Sequence, residues 1–267
     1  EFERIINKEL KSLNSLQLNQ IKKSRILKIL DKKAYKENHP TQANQIKIVL
    51  SSMYSFAVKR DLIDTNLISS IPTYATGDSQ RHRYYSETEI SKIWKHIELM
   101  PSPTKQAFQI LFLMGQRKSE TLKMKWDDID SSNQIWIIPP HLAKNKQEHH
   151  IPIPKHALKI INSLKRNSQY VFQSPVKEGC PIQSIKRQTK KVKDDSEVKD
   201  FRVHDIRRTV ATYLAKLGTD RTVIGKILNH KGLSGDNSIT AIYDRYNYED
   251  EKRRAIQNWE DCLMNIL

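Results

Sequence analysis

The stretch Thr76-Gly77-Asp78-Ser79-Gln80-Arg81-His82-Arg83 divides the chain. It is polar throughout, contains a glycine and carries surplus charge, so it offers neither a helix nor a strand an apolar face to bury. It reads as an exposed linker. Just beyond it, Ser86-x-x-Glu89 has capping-box spacing, in which each side chain satisfies an orphan amide at a helix start. The 267 residues are therefore expected to form two units, 1–75 and 86–267, joined by a linker at 76–85. Each is long enough to bury a core.

Residues 1 to about 75 carry only helical signals. Ile26, Leu27, Ile29 and Leu30 supply one apolar stretch, and Ile46, Val49, Leu50, Met53, Tyr54 and Val58 supply a second face. Pro40-Thr41 suits a helix start, and Asp61 to Pro72 is loop-like. The larger segment reads differently. A helix is expected over Thr104–Met114, broken at Gly115 and resumed over Gln116–Lys125. Trp126–Asp130, Gln134–Ile138 and His149–Ile153 read as three short strands, with Ser131-Ser132-Asn133 as the first turn. Helices follow from Pro154 onward, and Gly218 closes the Thr209–Leu217 stretch as a C-cap would. The expected fold class is mainly α with a small antiparallel β-sheet.

Charge narrows the partners. Lys and Arg number 46 against 30 Asp and Glu, a formal +16, and the excess is spread from Arg4 to Arg254. Such a surface attracts polyanions, because phosphates release condensed counterions on contact, so nucleic acid is the first partner to consider. A basic surface that serves only solubility is the alternative. Cys180 and Cys262 are the only cysteines, too few for a disulfide framework, which fits a reducing cytosol. There is no Cys-x-x-Cys for a thiolate zinc site. The longest apolar run, Ile110 to Met114, is too short to span a membrane, and no signal peptide is evident. Glu1 opens without a Met into helical-looking sequence, as in a fragment with an N-terminal portion upstream.

Three local patterns carry candidate chemistry. Arg117 and Glu120, in Gly115-Gln116-Arg117-Lys118-Ser119-Glu120, are spaced to share a helix face, and so are His204 and Arg207 in His204-Asp205-Ile206-Arg207. Leu228-Asn229-His230 is followed by Ile242-Tyr243-Asp244-Arg245-Tyr246. Singly, each has a plainer explanation: a surface ion pair, a structural histidine, a packing tyrosine.

In this order, and with Trp126-Asp127-Asp128-Ile129-Asp130 and Thr240-Ala241-Ile242-Tyr243, the patterns resemble the catalytic domain of the tyrosine recombinases, the phage integrase family, over about Tyr84 to Trp259. The first unit is similar to that family's helical core-binding domain, a diffuse likeness without a sharp motif. Tyr243-Asp244-Arg245 and Glu251-Lys252-Arg253-Arg254 bring the chain nearest to integrases of phages and genomic islands. The resemblance implies an enzyme that cleaves and rejoins DNA through a 3′-phosphotyrosine, integrating or excising a mobile element. Tyr243 would be the nucleophile. Arg117 and Arg207 would hold the non-bridging phosphate oxygens, for which a planar, permanently charged fork is suited. His204 and His230 would donate hydrogen bonds or shuttle protons at the same phosphate. Lys144, in a strand turn, would protonate the leaving 5′-oxygen, with Lys146 as its rival. Glu120 would orient this cluster without touching substrate. Arg207 is preferred to Arg208 because it alone has the i,i+3 relation to His204.

The gap from His230 to Tyr243 is longer than in many relatives, and Lys231 to Asp236 looks like an inserted loop, which keeps Tyr246 and Tyr248 as alternative nucleophiles. The spacing of His141, His149 and His150 matches no standard metal-ligand set. No metal, ATP or other cofactor is expected, since the covalent intermediate keeps the phosphodiester energy. Lys186 to Lys193 is either a solvated helix face or a phosphate contact. The amphipathic tail from Glu249 to Leu267 packs either on its own domain or on a neighbouring protomer. Expected partners are double-stranded DNA, three further protomers in a homotetramer on paired DNA sites, and DNA-bending accessory proteins. The expected location is the bacterial cytoplasm, at the nucleoid. Two other readings remain open: a catalytically idle DNA-binding protein of the same fold, and a type IB topoisomerase.

Overall fold

A computed structural model of the chain describes residues 2–74, 81–230 and 246–267. The chain divides into two compact units, Glu1–Arg81 and His82–Leu267.

The first unit is helical. α1 (Phe2–Lys8), α2 (Lys23–Asp31) and α3 (Pro40–Val58) surround a core of Ile5, Ile26, Leu30, Ile46, Leu50 and Tyr54. Pro40 occupies the first turn of α3, where its missing N–H costs nothing and its fixed φ suits the helix. Ala57, not Met53, completes the inward face of α3; Met53 is exposed. The loop after α3 is held down by Asn66, whose Nδ2 donates to Ser55 Oγ at 2.9 Å while Ile68 and Ile71 bury beside it. Lys33 is buried, and Glu9 and Glu37 hold its Nζ at 2.8 and 2.5 Å.

The second unit is built around one helix. α4 (Glu87–Glu98) starts at the Ser86–Glu89 capping box, with Ser86 Oγ accepting from the Glu89 amide. α5 (Thr104–Met114) is buried from Ala107 to Met114, a run in which Gln109 alone is polar and donates to Glu98 Oε1 at 2.6 Å, as suits a helix enclosed by others. α7 (Lys155–Asn162), α9 (Val203–Lys216) and α11 (Glu249–Ile266) all pack against it. Gly115 ends α5 in the left-handed region, with φ +63°. A Cβ there would sit 2.8 Å from Val210 Cγ1, so glycine is required both by the turn and by the close approach of α9.

Two sequence expectations are corrected here. The helix after Gly115 is short, α6 (Lys118–Leu122), not Gln116–Lys125. The first strand is only β1 (Ile129–Asp130), because Asp128 Oδ2 accepts from the Lys125 amide and folds Trp126–Asp128 into a 3-10 turn. β2 (Ile135–Ile138) and β3 (His149–Pro152) complete an antiparallel meander of order β1-β2-β3. Trp136 pairs with Ile151 and Ile138 with His149, so these four share the inward face. α8 (Lys186–Asp195) and α10 (Arg221–Ile227) are the remaining α-helices among the described residues.

α11 packs on its own unit, with Ile256, Trp259 and Leu263 fully buried. Trp259 Nε1 donates to the Phe112 carbonyl at 2.8 Å. The Glu260 carboxylate accepts from the amides of His156 and Ala157 at 2.9 and 3.0 Å, capping the start of α7. No helix among the described residues is long and apolar enough to cross a membrane.

Candidate active site

The site is organised by the end of α10. Asp220 starts this helix by accepting the Thr222 amide at 2.7 Å. Its C-terminus closes in a Schellman turn: the Asn229 amide reaches Lys226 O at 3.4 Å, the His230 amide reaches Gly225 O at 3.0 Å, and Asn229 takes φ +48°. Carbonyls at a helix end have no donors within the helix, and here side chains from three other elements supply them. Gln116 Nε2 donates to Ile227 O at 3.0 Å, and His149 Nε2 meets the same oxygen at 3.1 Å. Arg207 Nη2 donates to Leu228 O, and Arg117 Nη2 to Asn229 O at 2.9 Å.

Each arginine is also held from behind. Arg117 stands at the N-terminus of α6, so it and Glu120 do not share a helix face as their spacing suggested. Instead the Glu120 carboxylate reaches back to Arg117, accepting from Nη1 at 2.9 Å and from the backbone amide at 3.2 Å. Glu120 is 2% exposed, so one buried carboxylate fixes both the helix start and the guanidinium. Arg207, on α9, is buried and donates through Nη1 to Gly115 O at 3.1 Å. Burial and then the neighbouring Arg117 charge lower its pKa to about 9, which still leaves it charged at neutral pH. Arg208 pairs instead with Asp205 at 2.7 Å.

His204 is exposed on the first turn of α9. Desolvation, and after it the Arg208 and Arg207 charges, hold its imidazole below the ordinary pKa, which favours the neutral ring. His230 is exposed just past the Schellman turn. Lys144 and Lys146 are exposed on the turn between β2 and β3, Lys146 with φ +58°. Beside them, Asn145 bonds to Asn229 through paired amides at 2.6 and 3.2 Å. Tyr243 lies outside the described residues, as does the loop expected at Lys231 to Asp236. Of the alternative nucleophiles, Tyr246 is exposed and stands edge-on to Tyr248, ring centroids 4.8 Å apart. Glu251 raises the Tyr246 phenol's pKa, which works against the ionisation an attacking phenolate needs.

The sequence assigned no role to Gln116, Asn145 or Asn229, and named His149 only as a strand residue and in a histidine set that fits no metal. Only His149 left a signal there, the alternation that puts it inward with Ile151. Burial pushes its pKa down to about 3, so the ring is neutral, and its contact with the Ile227 carbonyl fixes the proton on Nε2. Among the described residues no group of His, Cys, Asp and Glu is arranged to hold a metal ion.

A model of the phage integrase family matches residues 83–250. The tyrosine recombinase XerC of Pediococcus pentosaceus is 25% identical over 210 residues, covering 72% of this chain and 68% of that protein. The prophage integrase IntA of Escherichia coli K12 is 26% identical over 165 residues, and there the match spans 60% of this chain but only 38% of the relative. Among solved structures, a lambda integrase tetramer bound to a Holliday junction superposes with a TM-score of 0.68 at 18% identity, covering 94% of this chain and 71% of that one. A Tn1549 transposon integrase in complex with a circular intermediate DNA gives 0.69 at 17% identity, covering 96% and 91%. With the family model spanning more than half of its length, the chain belongs to the phage integrase family of tyrosine-type DNA recombinases.

Proposed function

We propose that this chain cuts and rejoins duplex DNA at a specific site, with Tyr243 as nucleophile and Arg117, Arg207, His204, His230 and Lys144 around the scissile phosphate. The Tyr243 oxygen bonds to phosphorus and the P–O5′ bond breaks, leaving a 3′-phosphotyrosine and a 5′-hydroxyl. The phenol's proton passes to the neutral His204 ring, and Lys144 gives its proton to the departing 5′-oxygen. The 5′-hydroxyl of a partner strand then reverses the step, so no external energy source is needed.

The observation that carries this reading is the convergence of Arg117 and Arg207 on neighbouring carbonyls of one helix end. Both guanidiniums are oriented before any substrate arrives. Preorganised cations at a phosphate stabilise the added charge of the pentacoordinate transition state without reorganising at the moment of reaction. In this reading the first unit is a core-type DNA-binding module and 86–267 is the catalytic domain. The assembly is a homotetramer on paired sites, a form in which lambda integrase has been solved on a Holliday junction. DNA-bending accessory proteins are further partners, and the setting is the DNA of a bacterial cytoplasm.

Covalent trapping tests the reading, on a nicked duplex carrying the attachment site beside the protein's own gene. A protein–DNA adduct that disappears in Tyr243→Phe, with the DNA-linked peptide containing Tyr243, is the expected result. An adduct that survives moves the nucleophile to Tyr246 or Tyr248. Specific binding without an adduct identifies a non-catalytic DNA-binding protein, and relaxation of supercoiled plasmid lacking the site identifies a topoisomerase.

A further inference from the structure

One side-chain pair joins the β2–β3 turn to the end of α10. Asn145 Nδ2 donates to Asn229 Oδ1 at 2.6 Å, and Asn229 Nδ2 donates back to Asn145 Oδ1 at 3.2 Å. The neighbours of this pair matter: Asn145 follows Lys144 directly, and Asn229 directly precedes His230. Asn229 stands in the left-handed region, where glycine is the least strained residue and asparagine is tolerated. The backbone turn alone therefore does not call for a side chain at 229, whereas the reciprocal amide pair does. Asn229 is also immobilised from its other side, since its carbonyl accepts from Arg117. A fixed wall of the site thus holds the exposed tip of a hairpin.

The lysine on that tip needs such a hold. A lysine side chain carries a single mobile charge on four methylenes, and proton transfer requires it within hydrogen-bond reach of the leaving oxygen. We infer that the Asn145–Asn229 pair is a positioning device for the general acid, clamping the turn so that the Lys144 ammonium meets the 5′-oxygen as the P–O5′ bond breaks. Asn145 and Asn229 are positioning residues that act through Lys144. The inference rests on the role proposed above for Lys144.

A leaving-group substitution separates the two claims. A substrate with sulfur in place of the bridging 5′-oxygen loses a thiolate, whose conjugate acid has a pKa of about 8.5, and so departs without a donated proton. Asn145→Ala and Asn229→Gly are each expected to slow cleavage of the oxygen substrate by about 10- to 100-fold, the usual scale for a displaced catalytic group. With the sulfur substrate both variants should cleave within about twofold of the unaltered chain, as expected when only acid catalysis is impaired. Asn229→Gly keeps the left-handed turn, and Asn145→Ala leaves the α10 backbone untouched, so the two must agree. Lys144→Ala is the reference. If sulfur does not rescue Lys144→Ala, the acid assignment beneath the inference fails. If sulfur rescues Lys144→Ala but not the asparagine variants, or if those variants cleave the oxygen substrate normally, the positioning role is overturned.

Discussion

Arg117 and Arg207 hydrogen-bond to consecutive residues of one turn, Arg117 to the Asn229 carbonyl and Arg207 to that of Leu228. Arg117 comes from the junction of α5 and α6 and Arg207 from within α9, yet the same backbone segment sets their orientation and carries His230 at its next position. The helix end is a common template for the cations, so the site's geometry is decided when α10 docks against α9 and α11.

Replacing either arginine by lysine keeps the charge and removes the fork. Arg207→Lys cannot reproduce the paired contacts to Gly115 and Leu228 while presenting donors to a phosphate. The expected outcome is adduct formation at least about 100-fold slower with site-specific binding, by gel shift, changed less than tenfold. An Arg207→Lys protein that forms adduct at the normal rate would show that the fork is not used.

Gly115→Ala should be costly for the fold. The left-handed φ strains any L-residue, and the added methyl meets Val210 at 2.8 Å. Together these predict a loss of at least about 2 kcal/mol, measured by urea denaturation. Val210→Ala should restore part of the steric loss when combined with it, since it removes the contacts at 2.8 and 3.3 Å and leaves the Val210 Cβ position at 3.0 Å. Simple additivity of the two losses would remove the close approach from the explanation.

Features set by near neighbours were legible before the structure. The Ser86–Glu89 capping box, Pro40 at the start of α3 and the break at Gly115 each depend on contacts within a few residues, or on what only glycine can do. The i,i+3 relation of His204 and Arg207 needed only a helix. What escaped was long-range. Nothing near His149 in sequence announces that its ring will meet the Ile227 carbonyl, and nothing near Asn145 announces Asn229, because both contacts form only once the sheet packs on α10. Trp126–Asp130 misled for the opposite reason: its Trp126 and Ile129 suit a strand, but the Asp128 side chain competes locally for the Lys125 amide.

His149 makes stability pH-dependent. Its folded pKa is depressed to about 3, against about 6.5 in an unfolded chain. Below 6.5 the unfolded state therefore binds a proton that the folded state refuses. The ring's contribution is complete above that pH and declines as pH falls toward 3. By pH 5 the loss from this one group is about 2 kcal/mol. Thermal unfolding from pH 8 to 4.5 should show it, and His149→Gln, which retains a donor for Ile227, should flatten the acid side of the curve. An unchanged acid profile in that variant would place the proton uptake elsewhere.

The basic helix α8 separates into two faces. Lys186 and Lys193 line one shallow groove of about 380 Å³ with Lys118, Arg202 and His204, Arg187 and Lys191 line a different groove with His96 and Leu99, and Lys190 borders both. Lys190 is engaged by Asp194. If DNA runs through the site past His204, Lys186 and Lys193 are placed to meet its backbone phosphates. Each phosphate contact contributes about 0.9 to the slope of log affinity against log salt. Lys186→Ala and Lys193→Ala should each lower the measured slope by about that amount, while Arg187→Ala and Lys191→Ala leave it alone. Equal effects from both faces would mean that α8 contributes only diffuse charge, and no effect from either would leave it a solvated surface.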